Sequence, residues 1–459
     1  MRLRHLIVMP VCLLCLATSM FAQEPGWKAG TATAVITPKK PLWMAGYGSR
    51  TRPAGGALHD LWLKALVLED AAGHQSVVLS SDTLGVPRTI YDNTCAALKA
   101  KFGLERAQIM FNCSHTHCGP VLRGALLDVY PVNDEQRAAI DEYSQALEAT
   151  IVDTVSAAFD ELSPAVVSAG QGESHFAVNR RNNPSADVPE RIRTNSLKGP
   201  IDHAVPVLAV RSVDGSLKAV VFGYACHNTT LSVYQWCGDY AGFAQMAIEE
   251  SHPGAVAMFY MGCGADQNPL PRRNVYQCRR YGQMLASAVE EVLLKPMQTL
   301  EPTLQTEFEF VELNLGDPLT RERLEEVATE KASYRHRWAA RLLKQMDDGR
   351  PFVRSYRYPL QAWKLGKQQL WLSMGGEVVV DYVLGFKKQF GPQTWVAGYA
   401  NDVMAYIPSL RVLEEGGYEG NTSMVVYGMP AERWATDIED LIDAGMNRLV
   451  DKLSLPAKK

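Results

Sequence analysis

Five apolar runs of this chain each open into a loop that carries an ionisable or phenolic side chain. Residues 109–111 lead to His115 and His117, and 220–225 lead to His227. Residues 256–261 lead to Asp266 and Asn268, 370–374 to Glu377, and 395–399 to Asn401, Asp402 and Tyr406. One such loop is a weak signal. Five together describe a single site at the carboxyl ends of strands, where α/β folds gather their chemistry. His115 and His117 are two residues apart, and in an extended segment that spacing turns both imidazoles to one side. Two neutral imidazoles with one carboxylate form the ligand set of a catalytic zinc ion, which keeps a position open for water. The long intervals from His115 to His227 and Glu377 fit a site assembled by tertiary folding, since a zinc finger spaces its ligands closely. Taken singly, each has a plainer explanation. His227 fits a hydrogen-bonded structural histidine, and Glu377 fits an acid favoured at the start of a helix over 378–390.

The elements that must position these residues follow from periodicity. Residues 134–160 repeat apolar positions every three or four residues, with acids in the first turn, which predicts a helix. The same pattern covers 276–294 and 431–453. Residues 320–347 put Leu324, Val327, Trp338 and Leu342 at helical spacings under a charged, solvated face. The runs at 77–79, 109–111, 220–222, 256–259, 370–372 and 395–397 read as buried strands. The expected class is α/β, with α+β as the variant: one large domain on a mixed sheet with flanking helices.

Composition bounds the function. The chain has 459 residues, 47% of them hydrophobic and 21% charged, with a formal charge of −4. This balance excludes a disordered chain and leaves no basic excess for nucleic acid. Residues 1–22 read as a cleaved signal peptide: a short basic start, an apolar run and a small-residue end. No later run is long enough for a membrane span, so the mature chain (23–459) is expected to be exported, periplasmic or secreted. It keeps seven cysteines, at 95, 113, 118, 226, 237, 263 and 278. An odd number cannot all pair, and no CxxC spacing marks a zinc ribbon. Sequons at Asn112, Asn228 and Asn421 read as incidental, because the first two adjoin the proposed ligands.

Motifs in this order resemble the amidase domain of the neutral (non-lysosomal) ceramidases over about 30–427. Residues 30–38 (GTATAVITP) are similar to the family's opening strand ending in DITP, and 44–48 (MAGYG) to its MGYG. Residues 114–120 (SHTHCGP) resemble THTHSGP. Asn179-Arg180, the Ala225-Cys226-His227 segment and Gly375-Gly376-Glu377 resemble further family segments. Asn401 to Tyr406 is similar to NxYxxY, and Tyr418-Glu419 to RYE. The resemblance implies one zinc ion per chain, held by His115, His227, Glu377 and Tyr406. It places His117 beside the metal against the substrate, as a proton shuttle, and gives Arg180 and Tyr418 contacts near a scissile amide. It points to Gly46 or Gly48 as a close backbone approach, and to Asn179 and Asn268 as substrate neighbours. The implied reaction is cleavage of an N-acyl amide by zinc-activated water.

Several positions depart from the family pattern. Asn268 stands where a serine is usual, as does Cys118, and Val403 replaces the first tyrosine of NxYxxY. Residues 316–360 have no obvious counterpart and are placed to reshape the pocket mouth. No immunoglobulin-like domain is expected after the catalytic one. Intact metal positions beside an altered substrate shell fit a small-molecule substrate that is either a lipid amide or a carbohydrate. The alternative to the amidase is therefore a metal-dependent hydrolase or lyase of a uronate or other glycan. A non-catalytic metal-containing binding protein is the minor one.

Overall fold

The computed structural model describes residues 26–331 and 333–454. The expected signal peptide at 1–22 lies outside them. A large mixed sheet orders its strands Ile109–Cys113, Gln75–Ser81, Trp62–Glu69, Trp27–Val35, Ser163–Glu173, Ala204–Ser212, Leu217–Tyr224 and Val256–Met261, with Gln298–Thr299 added beside Ser163–Glu173. The outermost pair at each edge is parallel and the inner pairs are antiparallel. The sheet curls until its two edge strands approach: the Met261 amide donates to Asn112 Oδ1 at 2.7 Å, and Ser80 Oγ donates to the Phe259 carbonyl at 2.5 Å. The strand ends carrying His115 and His227, at opposite edges by sheet order, are thereby brought together.

Alternation along the strands divides the core. Leu63, Ala65 and Val67 face a layer of helices, whereas Leu66 and Leu68 face a second sheet. The helix layer holds Asp134–Asp160, started by a reciprocal cap between Asn133 and Gln136, together with Arg88–Phe102, Asp239–Ser251 and Val275–Leu293. The second sheet runs Leu304–Asn314, Ser355–Leu365, Gln369–Met374 and Trp395–Ala397. It docks through Trp363, Trp371 and Trp395, all buried with Met110, Val221 and Met258 of the large sheet. Helices Val380–Phe390 and Ile438–Ser454 pack on its other side around Phe386, Ile442 and Leu449.

All six expected strands form. The 378–390 helix starts later, at Val380, because Glu377 and Val378 pair with another strand. The 431–453 helix starts at Ile438. The 320–347 stretch forms two helices, Arg321–Ala328 and Tyr334–Asp347, each started by a side-chain cap, Thr320 and Ser333. Leu324, Val327, Trp338 and Leu342 share one buried cluster as their spacing predicts. All seven cysteines are buried and free, packed as small apolar side chains. No helix among the described residues is long and apolar enough to cross a membrane.

Candidate metal centre

The strand Ile109–Cys113 ends in a turn in which His115 takes φ 55°. That left-handed backbone is costly for a side chain with a Cβ and is typical of functional sites. Tyr399 (φ 54°) and Asn401 (φ 66°), on the loop opposite, share it. His115 Nδ1 donates to the Leu84 carbonyl at 2.5 Å, and His227 Nδ1 donates to the Gly264 carbonyl at 2.7 Å. A carbonyl only accepts, so both rings carry their proton on Nδ1 and turn the Nε2 lone pair inward. His117 Nε2 lies 3.2 Å from His115 Nε2. His115, His117 and His227 thus form a buried group whose ligand atoms lie within 4.8 Å of one another. The histidine segments are tied by their backbones: Asn228 Nδ2 donates to the Ser114 carbonyl at 2.8 Å, and the His117 amide to the Asn228 carbonyl at 3.3 Å.

Glu377 and Tyr406 arrive together. Two short strands, Glu377–Val378 and Tyr406–Ile407, run parallel with Glu377 opposite Tyr406. Glu377 Oε2 lies 3.3 Å from His115 Nε2 and 3.1 Å from His227 Nε2, and Tyr406 Oη lies 3.3 Å from His227 Nε2. Tyr399 donates to Glu377 Oε2 at 3.4 Å, and Tyr427 donates to Oε1. Neither tyrosine stands out in the sequence, because no spacing connects 377 with 399 or 427.

The electrostatics test whether a cation fits. Burial pushes His227 down to about 4, with the Arg180 charge adding to it, so the ring is neutral at neutral pH. His117 is held well below its usual value, by burial first and then by His115 and His227. Burial opposes the Glu377 carboxylate, yet His115 first and then His227 hold it well below the usual range. Nε2 of His115, Nε2 of His227 and a carboxylate oxygen of Glu377 thus converge, a donor set that suits a divalent cation.

His117 is built differently from its neighbours. Its Nδ1 is buried and meets no partner. At 8% exposure it is the least enclosed of the three histidines. Gly46 explains its seat: with φ +98°, a Cβ there would lie 2.5 Å from His117 Cγ and Nδ1. A Cβ on Gly48 would meet only ordinary contacts, the nearest at 3.8 Å, so Gly46 is the glycine the site requires. The Tyr47 ring packs 4.7 Å from the His117 ring.

Arg180 reaches the same place from another loop. Its Nη2 donates to Tyr406 Oη at 3.1 Å and its Nε to Glu419 Oε1 at 2.7 Å, while Nη1 lies 3.4 Å from Asn268 Oδ1. Glu419 also takes Arg181 Nη1 at 2.7 Å. Tyr418 packs edge-on to the Tyr406 ring, centroids 5.2 Å apart. Asn179 is fully buried. Its Nδ2 donates to Asp266 Oδ2 at 3.1 Å and its Oδ1 accepts from the Arg181 amide at 3.1 Å, which makes it a support for Arg180. Asp266 accepts from the Val380 amide at 2.9 Å and so braces the Glu377 segment as well. Arg337 donates to the Asp128 and Val129 carbonyls, and Trp338 donates to the Met429 carbonyl at 2.9 Å. The unmatched 316–360 segment is thereby fastened to the loops on both sides.

These features meet a known family. The model of the neutral/alkaline non-lysosomal ceramidase N-terminal region matches residues 27–265, just over half of the chain. The chain belongs to this family. The neutral ceramidase of Pseudomonas aeruginosa is 25% identical over 238 residues, 49% of this chain and 34% of that protein. The match thus spans about a third of the relative's length. Among solved structures, a ceramidase complexed with C2 superposes with a TM-score of 0.71 at 18% identity, covering 95% of this chain and 76% of that one. The crystal structure of the P. aeruginosa neutral ceramidase gives 0.68 at 19% identity, covering 93% and 75%. At these identities the superpositions speak for the fold.

Proposed function

We propose that this chain is a zinc-dependent hydrolase of N-acyl amides, with one zinc ion held by His115, His227, Glu377 and Tyr406. The observation that carries the reading is the convergence of the His115 and His227 Nε2 atoms on a buried carboxylate, with both Nδ1 atoms turned to backbone carbonyls. Bound zinc supplies an acidified water and polarises the scissile carbonyl. His117 takes the proton: burial keeps it neutral, and its Nδ1 has no carbonyl to lock the tautomer as in His115 and His227. Arg180, clamped by Glu419, presents fixed positive charge where negative charge develops on the carbonyl oxygen. Tyr418 flanks the substrate beside it, and Asn268 and Gly46 line the approach. Export after removal of 1–22 belongs to the same reading and is supported by the sequence there.

A second reading, hydrolysis or elimination on a uronate glycan, is favoured by the charged approach to the site, where Arg272 reaches Asn268 through Thr229 and Arg273 meets Tyr47. The test is metal analysis of the purified protein with turnover of a fluorescent short-chain N-acylsphingosine. One zinc per chain with hydrolysis supports the amidase. A protein that takes up no metal, or keeps full activity as His115→Ala and His227→Ala, overturns it. Cleavage of uronate oligosaccharides but not of the amide selects the second reading.

A further inference from the structure

Arg272 and Arg273 serve neither the fold's ion pairs nor the metal centre, yet both reach the substrate side of it. Arg272 is half-buried, and its Nη1 donates to Thr229 Oγ1 at 2.8 Å. Thr229 Oγ1 in turn lies 3.4 Å from Asn268 Oδ1, the atom that Arg180 Nη1 approaches. Arg273 is exposed. Its Nη1 donates to the Tyr47 phenol oxygen at 2.7 Å, and its guanidinium lies 4.8 Å from the centre of the Tyr47 ring that packs on His117. Each guanidinium is oriented by one neutral oxygen-bearing side chain; Arg273 is one side chain removed from His117, and Arg272 is two removed from Arg180.

The charges around them do not balance locally. Arg180 and Arg181 are ion-paired with Glu419 and Glu415. Arg50 donates to the carbonyls of Val233 and His117. Among the described residues neither Arg272 nor Arg273 forms an ion pair. Asp239, the carboxylate near Tyr47, is fully buried, with its oxygens taken by the amides of Thr230, Leu231 and Tyr240. Burial lowers Arg272, and the charges of Arg273 and Arg180 lower it further. Holding a half-buried cation against two like charges costs free energy that a bound anion offsets. Arg273 also holds φ 90°, a strained backbone for a residue with a Cβ, pinned by its amide on the Thr230 carbonyl at 2.7 Å. The guanidinium fork is the group suited to a planar carboxylate.

We infer that Arg272 and Arg273 form an anion subsite, and that the substrate of the metal centre carries a carboxylate near its scissile bond. The second clause rests on the hydrolase reading; the first stands on the arginines themselves. Two substrate sources offer this chemistry, an N-acyl amino acid and a uronate sugar. Two matched pairs of probes separate them: N-octanoylglycine against N-octanoylethanolamine, and a glucuronate-terminated disaccharide against its glucose-terminated counterpart. The readout is the anionic-to-neutral affinity ratio on the metal-loaded protein, from calorimetry where there is no turnover and from KM where there is.

The ratio is expected to exceed about tenfold in one pair and to shrink with added salt. It should fall towards one in the R272Q/R273Q double variant and partly return in R272K/R273K, which keeps the charges if the first variant folds poorly. Equal affinity within both pairs, or a preference that survives R272Q/R273Q with an unchanged thermal midpoint, overturns the subsite. A charge preference with no hydrolysis of either pair upholds the subsite and removes the hydrolase reading. Hydrolysis without a charge preference does the reverse.

Discussion

The two parts of this chain contribute unlike things to one centre. Residues before 265 supply the three imidazoles, and residues after it supply the Glu377 carboxylate and the phenols of Tyr399, Tyr406 and Tyr427. The first part fixes its imidazoles locally: His115 and His117 share one turn, and backbone carbonyls hold the His115 and His227 rings. The second part fixes its oxygen groups by topology, through a two-residue pairing that sets Glu377 beside Tyr406. The centre is complete only where the tryptophans of the second sheet dock on the first. The family match ends at 265, so it covers the imidazole part and stops short of the oxygen part.

Removing one ligand from each side tests whether the two parts are equal partners. On the proposed function, His115→Ala and His227→Ala should abolish metal retention and cut amide hydrolysis on the order of a thousandfold, since each removes a proposed ligand. Metal content by mass spectrometry and kcat/KM are the measurements. Glu377→Gln keeps the shape but removes the charge. It should cost about a hundredfold in metal affinity and leave the Tyr427 and Tyr399 hydroxyls on an amide in place of a carboxylate. Undiminished zinc affinity in Glu377→Gln alongside its loss in His115→Ala would break the comparison, leaving the imidazole part as the whole metal site.

How much of this was legible follows the same division. His115, His117, His227 and Glu377 were readable because each follows an apolar strand into a polar loop, and strand ends in such folds converge. Tyr406 came only through the resemblance, since a phenol at that position is otherwise an ordinary core residue. Tyr399 and Tyr427 were not readable. Their contact with Glu377 depends on the left-handed turn at Tyr399 and on the path of 416–428, which no periodicity encodes. The break between the helices at 321 and 334 was hidden for a different reason: it is made by the capping hydroxyl of Ser333, with no glycine or proline to mark it. Arg272 and Arg273 read equally well as surface charge, and only their placement beside Tyr47 and Thr229 separates them from it.

Glu419 tests the link between the parts by a smaller step. Its carboxylate holds Arg180 and Arg181 at 2.7 Å each, joining a loop of the first part to a turn of the second. Burial opposes its charge, but Arg180 and its hydrogen bonds hold it below the usual carboxylate range. Glu419→Gln should lower kcat about tenfold while metal content stays at the wild-type level, as expected for a group that positions another. Loss of metal in this variant would place Glu419 in the metal's own support and sharpen the boundary of the centre.

Asp443 offers the smallest effect and the control for all the others, because it lies in the second part and outside the centre. It sits on the Ile438–Ser454 helix, where burial raises its carboxyl to about 6 and Glu439 and Asp440 push in the same direction. A raised acid binds its proton more tightly in the fold than in the unfolded chain, whose value is near 4. Stability from this group is therefore present below about pH 4 and is lost as pH rises through about 6. Asp443→Asn removes the penalty, so the variant should be more stable than the parent above pH 6, by on the order of 1 kcal/mol once solvent screening is allowed for. The gain should shrink towards zero below pH 4. His227, lowered to about 4, drives stability the opposite way over the same range, but it is common to both proteins and cancels in their difference. Denaturant midpoints from pH 4 to 8 provide the check. Parallel profiles would show that the carboxyl titrates normally and that the helix covering the second sheet carries no such penalty.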